Sequence, residues 1–414
     1  MPPRLLAIVI LIGLSIFINY IDRGNLATAA TVVKQELRLS PSQLGFLLTA
    51  FFITYMPMQP LIGWLVDKFT ASRVLVVGFL VWSLATLLTA FAAGFATLFA
   101  CRLLLGVGES VSFPSMSKIL TDNVGEMQRG FANGIVQAGL AFGPAFGIFA
   151  GGTLIAAYGW RPFFIGCGAI SVVWIVVWQA VSRGQLRNGR ATLSADAPDF
   201  AVVLREPTLW GASAGHFFSN FLLYFNATWI PYYLVHERGW TLPEMGRIGG
   251  AAFLLTGIAM VGCGSISDRL VRNGASPTLV RKAAFAIGGL GAAIGMLGCG
   301  YSHDAAASAG WLVFAGFFGG LLGVNTFAVS QTKAGTAATG KWTGIQNMIA
   351  NVSGLIAPAL TGVLVEATGS FTLPFTLAAI AAFASGAAWT LLTGRIEPID
   401  WKARSALKVA PEFT

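Results

Sequence analysis

Charged residues are scarce in this sequence: Asp, Glu, Lys and Arg make up only 10% of its 414 residues. Soluble globular proteins carry roughly 25%. Because hydrophobic residues account for 55% of the chain, the shortage of charge excludes an ordinary soluble domain and indicates a polytopic membrane protein. The four cysteines and three histidines show no metal-ligand spacing, and no nucleophile–base constellation is visible. We therefore expect no cofactor and no enzymatic activity.

Long apolar runs are what the sequence has instead. Each run is long enough to cross about 30 Å of hydrocarbon as a helix. Twelve of them follow one another, at about 5–30, 43–66, 73–93, 97–120, 130–157, 162–181, 208–234, 244–266, 280–300, 309–331, 343–366 and 371–394.

Lys and Arg are concentrated in the termini and in the loops on one side of these spans. By the positive-inside rule, that side and both termini are cytoplasmic. The net charge of +9 is then a signal of topology and of contact with anionic membrane lipid. It is not the footprint of a nucleic-acid-binding protein.

The second half of the chain repeats the first. A turn of the form Gly-xxx-Asp followed by a basic residue occurs at Gly63–Lys68 and again at Gly264–Arg269. Duplicated halves are typical of transporters whose site lies between the halves near the membrane midplane. We expect the two turns to gate the conformational change through Gly63, Asp67, Arg73, Asp268 and Arg269.

The sequence thus predicts an all-α membrane protein with twelve transmembrane helices in two pseudo-symmetric six-helix bundles. The predicted bundles are residues 1–182 and 207–396, with a polar cytoplasmic linker at 183–206 and a cytoplasmic tail at 397–414. A monomer is expected.

Four charged residues interrupt the apolar runs of the first half: Asp22, Arg23, Arg102 and Glu109. A charge in hydrocarbon costs at least ~2.5–3.5 kcal/mol, so such residues normally face a bundle interior or a water-filled cavity and mark a functional site. They would then form one network between helix 1 and helix 4. The alternative is an ion-pair network that only fixes helix packing.

Neutral polar residues predominate in the spans of the second half, where no comparable charge is found. They would hydrogen-bond a hydroxylated or carboxylated solute, although amides also serve as packing contacts between helices. The neutral residues predicted to bind substrate are Tyr20, Tyr55 and Gln137 in the first half and Ser219, Tyr224, Gln331, Asn347 and Asn351 in the second.

The doubled inner turn and the twelve spans resemble the major facilitator superfamily over essentially the whole chain. Within it, the segments Asn19–Asn25, Arg102–Glu109 and Gly344–Asn347 resemble the anion:cation symporter family. That family includes bacterial permeases for sugar acids, and also sialin and the vesicular glutamate transporters. The resemblance implies a multi-pass protein of the bacterial inner membrane.

The resemblance also implies roles for individual residues. Asp22 and Glu109 would carry the coupling protons, Arg102 would pair with these acids, and Arg23 would bind the substrate carboxylate. The helix 11 asparagine of the family corresponds to Asn347 or Asn351, and the choice between them stays open.

The function expected from these observations is proton-coupled uptake of a small organic carboxylate, such as a sugar acid or an aromatic or hydroxy acid, by alternating access. The segment Gly139–Pro144 resembles a motif of drug/proton antiporters. It leaves proton-driven efflux of a lipophilic or cationic compound as the alternative.

Overall fold

The computed structural model describes residues 1–39, 41–184, 186 and 197–406. The regular structure of these residues is entirely helical. The helices are α1 (Pro3–Glu36), α2 (Pro41–Lys68), α3 (Ala71–Thr89), α4 (Phe95–Glu109), α5 (Ser112–Asn123), α6 (Arg129–Tyr158), α7 (Trp160–Ser182), α8 (Phe200–Leu204), α9 (Pro207–His236), α10 (Leu242–Arg272), α11 (Pro277–Tyr301), α12 (Ala305–Thr368), α13 (Thr372–Leu391) and α14 (Trp401–Ala406).

Nine segments of the described chain are helical, long and apolar enough to cross a membrane. One of them, residues 95–123, is made of α4 and α5 together. Another is the 64-residue α12, which bends at Gly335. With its two limbs counted separately, and with α6 and α9 of 30 residues each, the described helices are consistent with the twelve crossings that the sequence predicts.

The structure differs from the predicted spans at the bend of α12. The sequence predicts two helices with a connection over residues 332–342, but the chain stays helical there on both sides of Gly335. Gly335 has φ 60° and ψ −173°, a backbone conformation that essentially only glycine adopts. A single glycine therefore makes the turn between the two limbs.

Two groups of helices pack among themselves. Helix α1 packs against α6 and α7, while α4 packs against α2 and α3; in the second group α9, α11, α12 and α13 pack together. The groups meet along two crossings, α2 with the second limb of α12, and α6 with α10, and also where α5 meets α12. Apolar side chains such as Ile170, Val173 and Val176 are exposed on the outside of α7, as expected of a surface that faces lipid.

Small residues bring α1 and α6 into close contact. A Cβ at Gly139 would lie 2.5 Å from the carbonyl oxygen of Gly13, and one at Gly143 would lie 2.7 Å from that of Phe17. Both distances are shorter than any van der Waals contact, so only glycine fits at these positions. The Gly139–Pro144 segment therefore has a packing role that holds α1, and its charged residues, in place.

Parts of the linker and the tail are folded against the bend of α12. The Trp401 indole donates a hydrogen bond of 2.8 Å to the Ala334 carbonyl, and Lys341 Nζ donates one of 2.9 Å to the Pro198 carbonyl. Val203 of α8 is fully buried in the same apolar cluster as Trp401. Residues 187–196 of the predicted linker and 407–414 of the predicted tail lie outside the described residues.

Candidate functional site

A cavity lies between the two groups of helices and has a volume of about 830 Å³, its mouth included. The second half contributes most of the polar wall. The polar residues that line the cavity are Tyr20, Gln137, His216, Ser219, Asn220, Asn226, Thr256, Thr326, Asn347 and Asn351. Gln137 Oε1 and Asn226 Oδ1 are buried without a hydrogen-bond partner in the protein. Since a buried polar atom without a partner is destabilising, these two acceptors indicate a place for a polar ligand or water.

Arg23 lies beside this cavity in a cage of three aromatic rings. Its guanidinium carbon is 4.6 Å from the ring centre of Tyr20, 4.8 Å from that of Phe51 and 4.7 Å from that of Tyr55. The rings stabilise the cation and fix the plane of the guanidinium. Arg23 Nη1 is buried and makes no hydrogen bond of normal length, with Tyr224 the neighbour that interacts with the guanidinium from the second half. The N–H groups on this edge of the guanidinium can therefore donate to an anion.

Glu109 is the ionic partner of Arg23. Its Oε2 accepts hydrogen bonds of 3.3 Å from Arg23 Nε and 3.2 Å from Arg23 Nη2. The Glu109 side chain has no exposed area, and its Oε1 has no partner. Asn19 Oδ1 also accepts from Arg23 Nη2, at 3.2 Å. The pair is therefore held inside the first half with one carboxylate oxygen and one guanidinium nitrogen unsatisfied.

Asp22 faces away from this pair, although it is the neighbour of Arg23 in the chain. Its Oδ2 accepts from the Trp82 indole at 2.6 Å and from Ser171 Oγ at 3.5 Å, and its Oδ1 accepts from Asn25 Nδ2 at 3.3 Å. Adjacent helical residues point about 100° apart, so Asp22 turns toward α3 and α7 while Arg23 turns toward α4.

Among the four charges of the first half, Arg23 and Glu109 are in direct contact, whereas Arg102 interacts with Asp22 and Glu109 at longer range. Arg102 is 5% exposed and its Nε has no partner. Within the described residues, Arg23–Glu109 is the ion pair that the four residues form. The four residues thus comprise an ion pair beside the cavity, Asp22 with its neutral hydrogen-bond donors, and Arg102, whose charge acts on both acids. The single network stays a prediction.

The second-half residues of the predicted site connect to the cage of Arg23. Asn347 Nδ2 donates to Tyr55 Oη at 3.3 Å, across the boundary between the halves. Tyr224 Oη donates to Asn351 Oδ1 at 2.6 Å, and the Asn351 amide donates to the Asn347 carbonyl at 2.8 Å. Both asparagines line the cavity, so the structure keeps both as candidates.

Two predicted substrate residues have other neighbours. Ser219 lines the cavity, but its hydroxyl donates to the carbonyl of His216 at 2.9 Å. Gln331 is absent from the cavity wall. It is fully buried where the halves meet, with its Oε1 accepting from Asn133 Nδ2 at 2.9 Å and its Nε2 donating to Ser117 Oγ at 3.2 Å. The structure thus moves Gln331 from the predicted binding set to the contact between the halves.

His216 lines the cavity but was not predicted as a site residue from the sequence. The sequence around His216 contains one pattern that indicates a polar helix face. Ser219 and Asn220 follow at three and four residues, a spacing that places all three side chains on one face of α9. A single histidine without metal-ligand spacing does not by itself indicate a binding face.

The two predicted gating turns close one end of the molecule in the same way. Asp67 accepts from the backbone N–H groups of Gly340 at 2.9 Å and of Lys341 at 2.8 Å. Asp268 accepts from the N–H groups of Gly130 at 3.0 Å and of Phe131 at 2.8 Å. Each carboxylate therefore accepts from backbone N–H groups of a helix in the other half. For Asp268 these groups belong to the first turn of α6, where the helix dipole favours a negative charge.

Glycines allow these two crossings to come so close. A Cβ on Gly340 would overlap the carbonyl oxygen of Gly63, and a Cβ on Gly264 would overlap that of Gly130. The Lys118 ammonium also donates to the Thr336 carbonyl across the same end. By contrast, the predicted gating residues Arg73 and Arg269 are exposed and form no ion pair with the described part of the chain.

The opposite end is fixed within the first half alone. Glu36, beyond the apolar part of α1, accepts from the Trp160 indole at 2.6 Å and pairs with Arg161. The hydrogen bond from Trp160 and that from Arg161 lower the pKa of Glu36 below its ordinary value. No polar bond of this kind joins the halves at this end in the ranges that the structure describes.

A polar cavity between two similar helical groups, closed at one end by matched contacts, defines a membrane transporter that works by alternating access. Comparison with known proteins leads to the same class. The sequence model of the Major Facilitator Superfamily matches residues 12–280. The chain belongs to this superfamily, and it is an integral multi-pass membrane protein.

Relatives and solved structures extend this result. The chain is 31% identical over 376 residues to a probable sulfoacetate transporter of Cupriavidus necator, covering 87% of each chain. It is 29% identical over 391 residues to the hexuronate transporter of Bacillus subtilis, covering 92% of this chain and 93% of that one. The crystal structure of the transporter FucP in its outward conformation superimposes with a TM-score of 0.75 at 13% identity, covering 93% and 98% of the two chains. The expected resemblance to anion transporters of the superfamily is confirmed.

Proposed function

We propose that this protein takes up a small organic anion, a carboxylate or a sulfonated carboxylate, together with protons. The observation that carries the proposal is the buried Arg23–Glu109 pair beside the cavity, with Arg23 Nη1 left without a hydrogen bond of normal length. A guanidinium is suited to bind a carboxylate or sulfonate through two parallel hydrogen bonds. The names of the relatives, a sulfoacetate and a hexuronate transporter, support this substrate class.

Exchange of partners at Arg23 is the proposed coupling step. A buried arginine cannot keep a carboxylate of its own and also bind a substrate anion without an excess of negative charge. Protonation of Glu109 removes that excess, because the neutral acid no longer competes for the guanidinium. Arg23 then holds the substrate anion, and one proton is bound for each unit of negative charge that enters.

Asp22 is proposed as a second proton site, separate from the substrate. Its three hydrogen-bond partners are the neutral groups of Trp82, Ser171 and Asn25, and Arg102 acts on its charge only at longer range. An uncompensated charge in the membrane interior is unfavourable. Protonation of Asp22 would therefore lower the energy of conformations in which α1 is surrounded by the low-dielectric membrane interior, and so favour the change between the two states of the transporter.

The described conformation is proposed to be outward-facing. The end closed by Asp67 and Asp268 belongs to the side rich in Lys and Arg, which the positive-inside rule places in the cytoplasm. Opening that end would require both carboxylates to release the backbone N–H groups of the opposite half. Because substrate and proton together neutralise the site, the loaded protein can make this change while an anion alone cannot.

Uptake into proteoliposomes tests the proposal. Labelled sulfoacetate and D-glucuronate are offered at an acidic external pH, with and without a proton ionophore. Accumulation that the ionophore abolishes supports proton symport, and competition by unlabelled organic acids but not by lipophilic cations supports the substrate class. If neither compound enters above the level of empty liposomes, and lipophilic cations are extruded instead, the proposal is wrong.

A further inference from the structure

His216 contributes an imidazole ring to the wall of the cavity. Its side chain is 6% exposed, and its ring stands at 84° to that of Phe327, with 5.4 Å between the ring centres. Phe327 in turn stacks on Phe113 of the first half. The ring of His216 is therefore held in one plane, with one edge toward α12 and the other toward the cavity.

The edge toward α12 meets the amide of Gln346, whose orientation can be derived. Trp342 Nε1 lies 2.9 Å and Ser330 Oγ lies 2.6 Å from the same Gln346 atom. An indole N–H is a donor only, so the Gln346 atom it meets must be the carbonyl oxygen. The amide nitrogen of Gln346 is consequently the atom that lies 3.3 Å from His216 Nδ1.

This orientation determines which nitrogen of His216 carries the proton. The Gln346 amide nitrogen can only donate, and therefore Nδ1 must be the acceptor. A neutral imidazole with an accepting Nδ1 has its hydrogen on Nε2. His216 Nε2 is also not among the buried atoms that lack a partner, and the residue lines the cavity.

We propose that His216 is a substrate-binding residue that donates its Nε2–H to an acceptor of the transported anion, at the end of the anion away from Arg23. This inference rests on the proposed function. Trp342, Ser330 and Gln346 act as positioning residues that hold the donor tautomer. The unpartnered Asn226 Oδ1 supplies an acceptor elsewhere in the same cavity, roughly 15 Å further along α9. An anion with a hydroxyl or a second acid group satisfies the site, while one that ends in a methyl group leaves Nε2–H unpaired.

The tautomer is tested in the wild-type protein, without any substitution. The chain has three histidines, and ¹⁵N-histidine labelling gives separate signals for protonated and unprotonated ring nitrogens. The signal that disappears in His216→Phe is assigned to His216. We expect a protonated Nε2 and an unprotonated Nδ1, with the Nε2 proton shifting when sulfoacetate or D-glucuronate is added. A protonated Nδ1 in the wild type overturns the inference.

The contact itself is tested by affinity. His216→Phe keeps the ring and its packing on Phe327 but removes the donor, and we expect the Kd for sulfoacetate or D-glucuronate to rise about tenfold or more. His303→Phe changes an exposed histidine and should leave the Kd unchanged. Gln346→Met keeps His216 but removes the amide that donates to its Nδ1. We therefore expect NMR to show a mixture of the two neutral tautomers.

The outcomes separate this inference from the proposed function. If the wild type binds one of the two anions and His216→Phe binds it equally well, His216 is not a contact and the inference fails alone. If the wild type binds neither anion, the proposed function fails, and the ligand assigned to His216 fails with it.

Discussion

Arg23 and Glu109 form an ion pair of 3.2 Å in which the carboxylate has no exposed surface. The pair joins α1 to α4, and α1 is held against α6 by the glycine contacts at Gly139 and Gly143. Both partners are therefore fixed by backbone packing and not by flexible loops. The ion pair is stabilised by two hydrogen bonds. Each partner also keeps one atom without a hydrogen bond, and this atom can bind a new partner before the ion pair is broken.

Glu109→Gln should separate binding from proton coupling. The neutral amide cannot compete with the substrate for Arg23, so we expect anion binding and exchange across the membrane to persist. Accumulation driven by a pH gradient should be lost, because the proton site is gone. Counterflow of labelled sulfoacetate and gradient-driven uptake of the same compound measure the two activities. Glu36→Gln, far from the cavity, is the matched control.

The same substitution has an expected effect on stability. Removal of one partner from a buried pair leaves an uncompensated charge, which costs about 3–5 kcal/mol. In Glu109→Gln a polar amide remains to accept from Arg23, so we expect a loss in the free energy of unfolding at the low end of that range. The shift in Tm measures this loss.

In the uptake assay, retention of full gradient-driven accumulation by Glu109→Gln would show that Glu109 is not the coupling acid.

Gly340→Ala should weaken the closed end. The new Cβ would overlap the carbonyl of Gly63, and overpacking of this kind typically costs about 1–3 kcal/mol. We expect the open form of this end to become more populated, by about tenfold for each 1.4 kcal/mol. Gly310→Ala is the control, because nothing lies within 4 Å of the Cβ it would add.

Cysteine labelling at Ser117 measures this shift. Ser117 is fully buried at the closed end, and the four native cysteines are first replaced by alanine. A maleimide should react with Ser117→Cys faster in the Gly340→Ala background than in the Gly310→Ala background. Equal rates in the two backgrounds would mean that the glycine crossing does not control the gate.

The architecture could be predicted from the sequence because each of its signals is local. Apolar runs give spans, the basic loops give the expected topology, and the repeated turn gives the duplication. The repeated turn also singles out Asp67 and Asp268 as gating residues, but that each binds the opposite half is known only from the structure. A carboxylate at a repeated inner turn can bind only what the fold brings to it, and here that is a pair of backbone N–H groups in a helix of the other half.

Details of the site depended on side-chain directions that spacing does not encode. Asp22 and Arg23 are neighbours in the chain, yet one binds Trp82 and the other binds Glu109. Gln331 has the amide side chain expected of a substrate contact, but it lies where the two halves meet. In each case the partner comes from a helix far away in sequence, and only the tertiary packing shows it.

Glu36 should give a pH-dependent contribution to stability. Its pKa is lowered, first by the hydrogen bond from Trp160 and then by that from Arg161. A group whose pKa is lower in the folded state stabilises that state at pH values above the ordinary pKa of glutamate. The contribution is lost as the pH falls through the lowered value. The wild type should therefore exceed Glu36→Gln in Tm near neutral pH, and the two should converge in acid. A Tm difference that stays constant or grows toward acid pH would contradict this sign.

Trp401 should stabilise the bend of α12. Its side chain is 6% exposed, its indole donates to the Ala334 carbonyl, and the backbone N–H of Ile399 donates to the Lys333 carbonyl at 3.0 Å. These bonds satisfy carbonyl groups next to Gly335, where the turn interrupts the helical pattern. Trp401→Ala removes both the packing and the donor, and we expect a loss of about 3–5 kcal/mol in the free energy of unfolding.

The matched variant Trp401→Phe separates the two contributions of Trp401. Phenylalanine keeps most of the apolar packing but leaves the Ala334 carbonyl without its donor, so a loss of only about 1–3 kcal/mol is expected. Thermal unfolding in detergent ranks the three proteins, with the wild type highest and Trp401→Ala lowest. If Trp401→Ala unfolds at the temperature of the wild type, the tail does not support the bend. If Trp401→Phe falls as far as Trp401→Ala, the hydrogen bond to Ala334 and not the packing of the ring carries the stability.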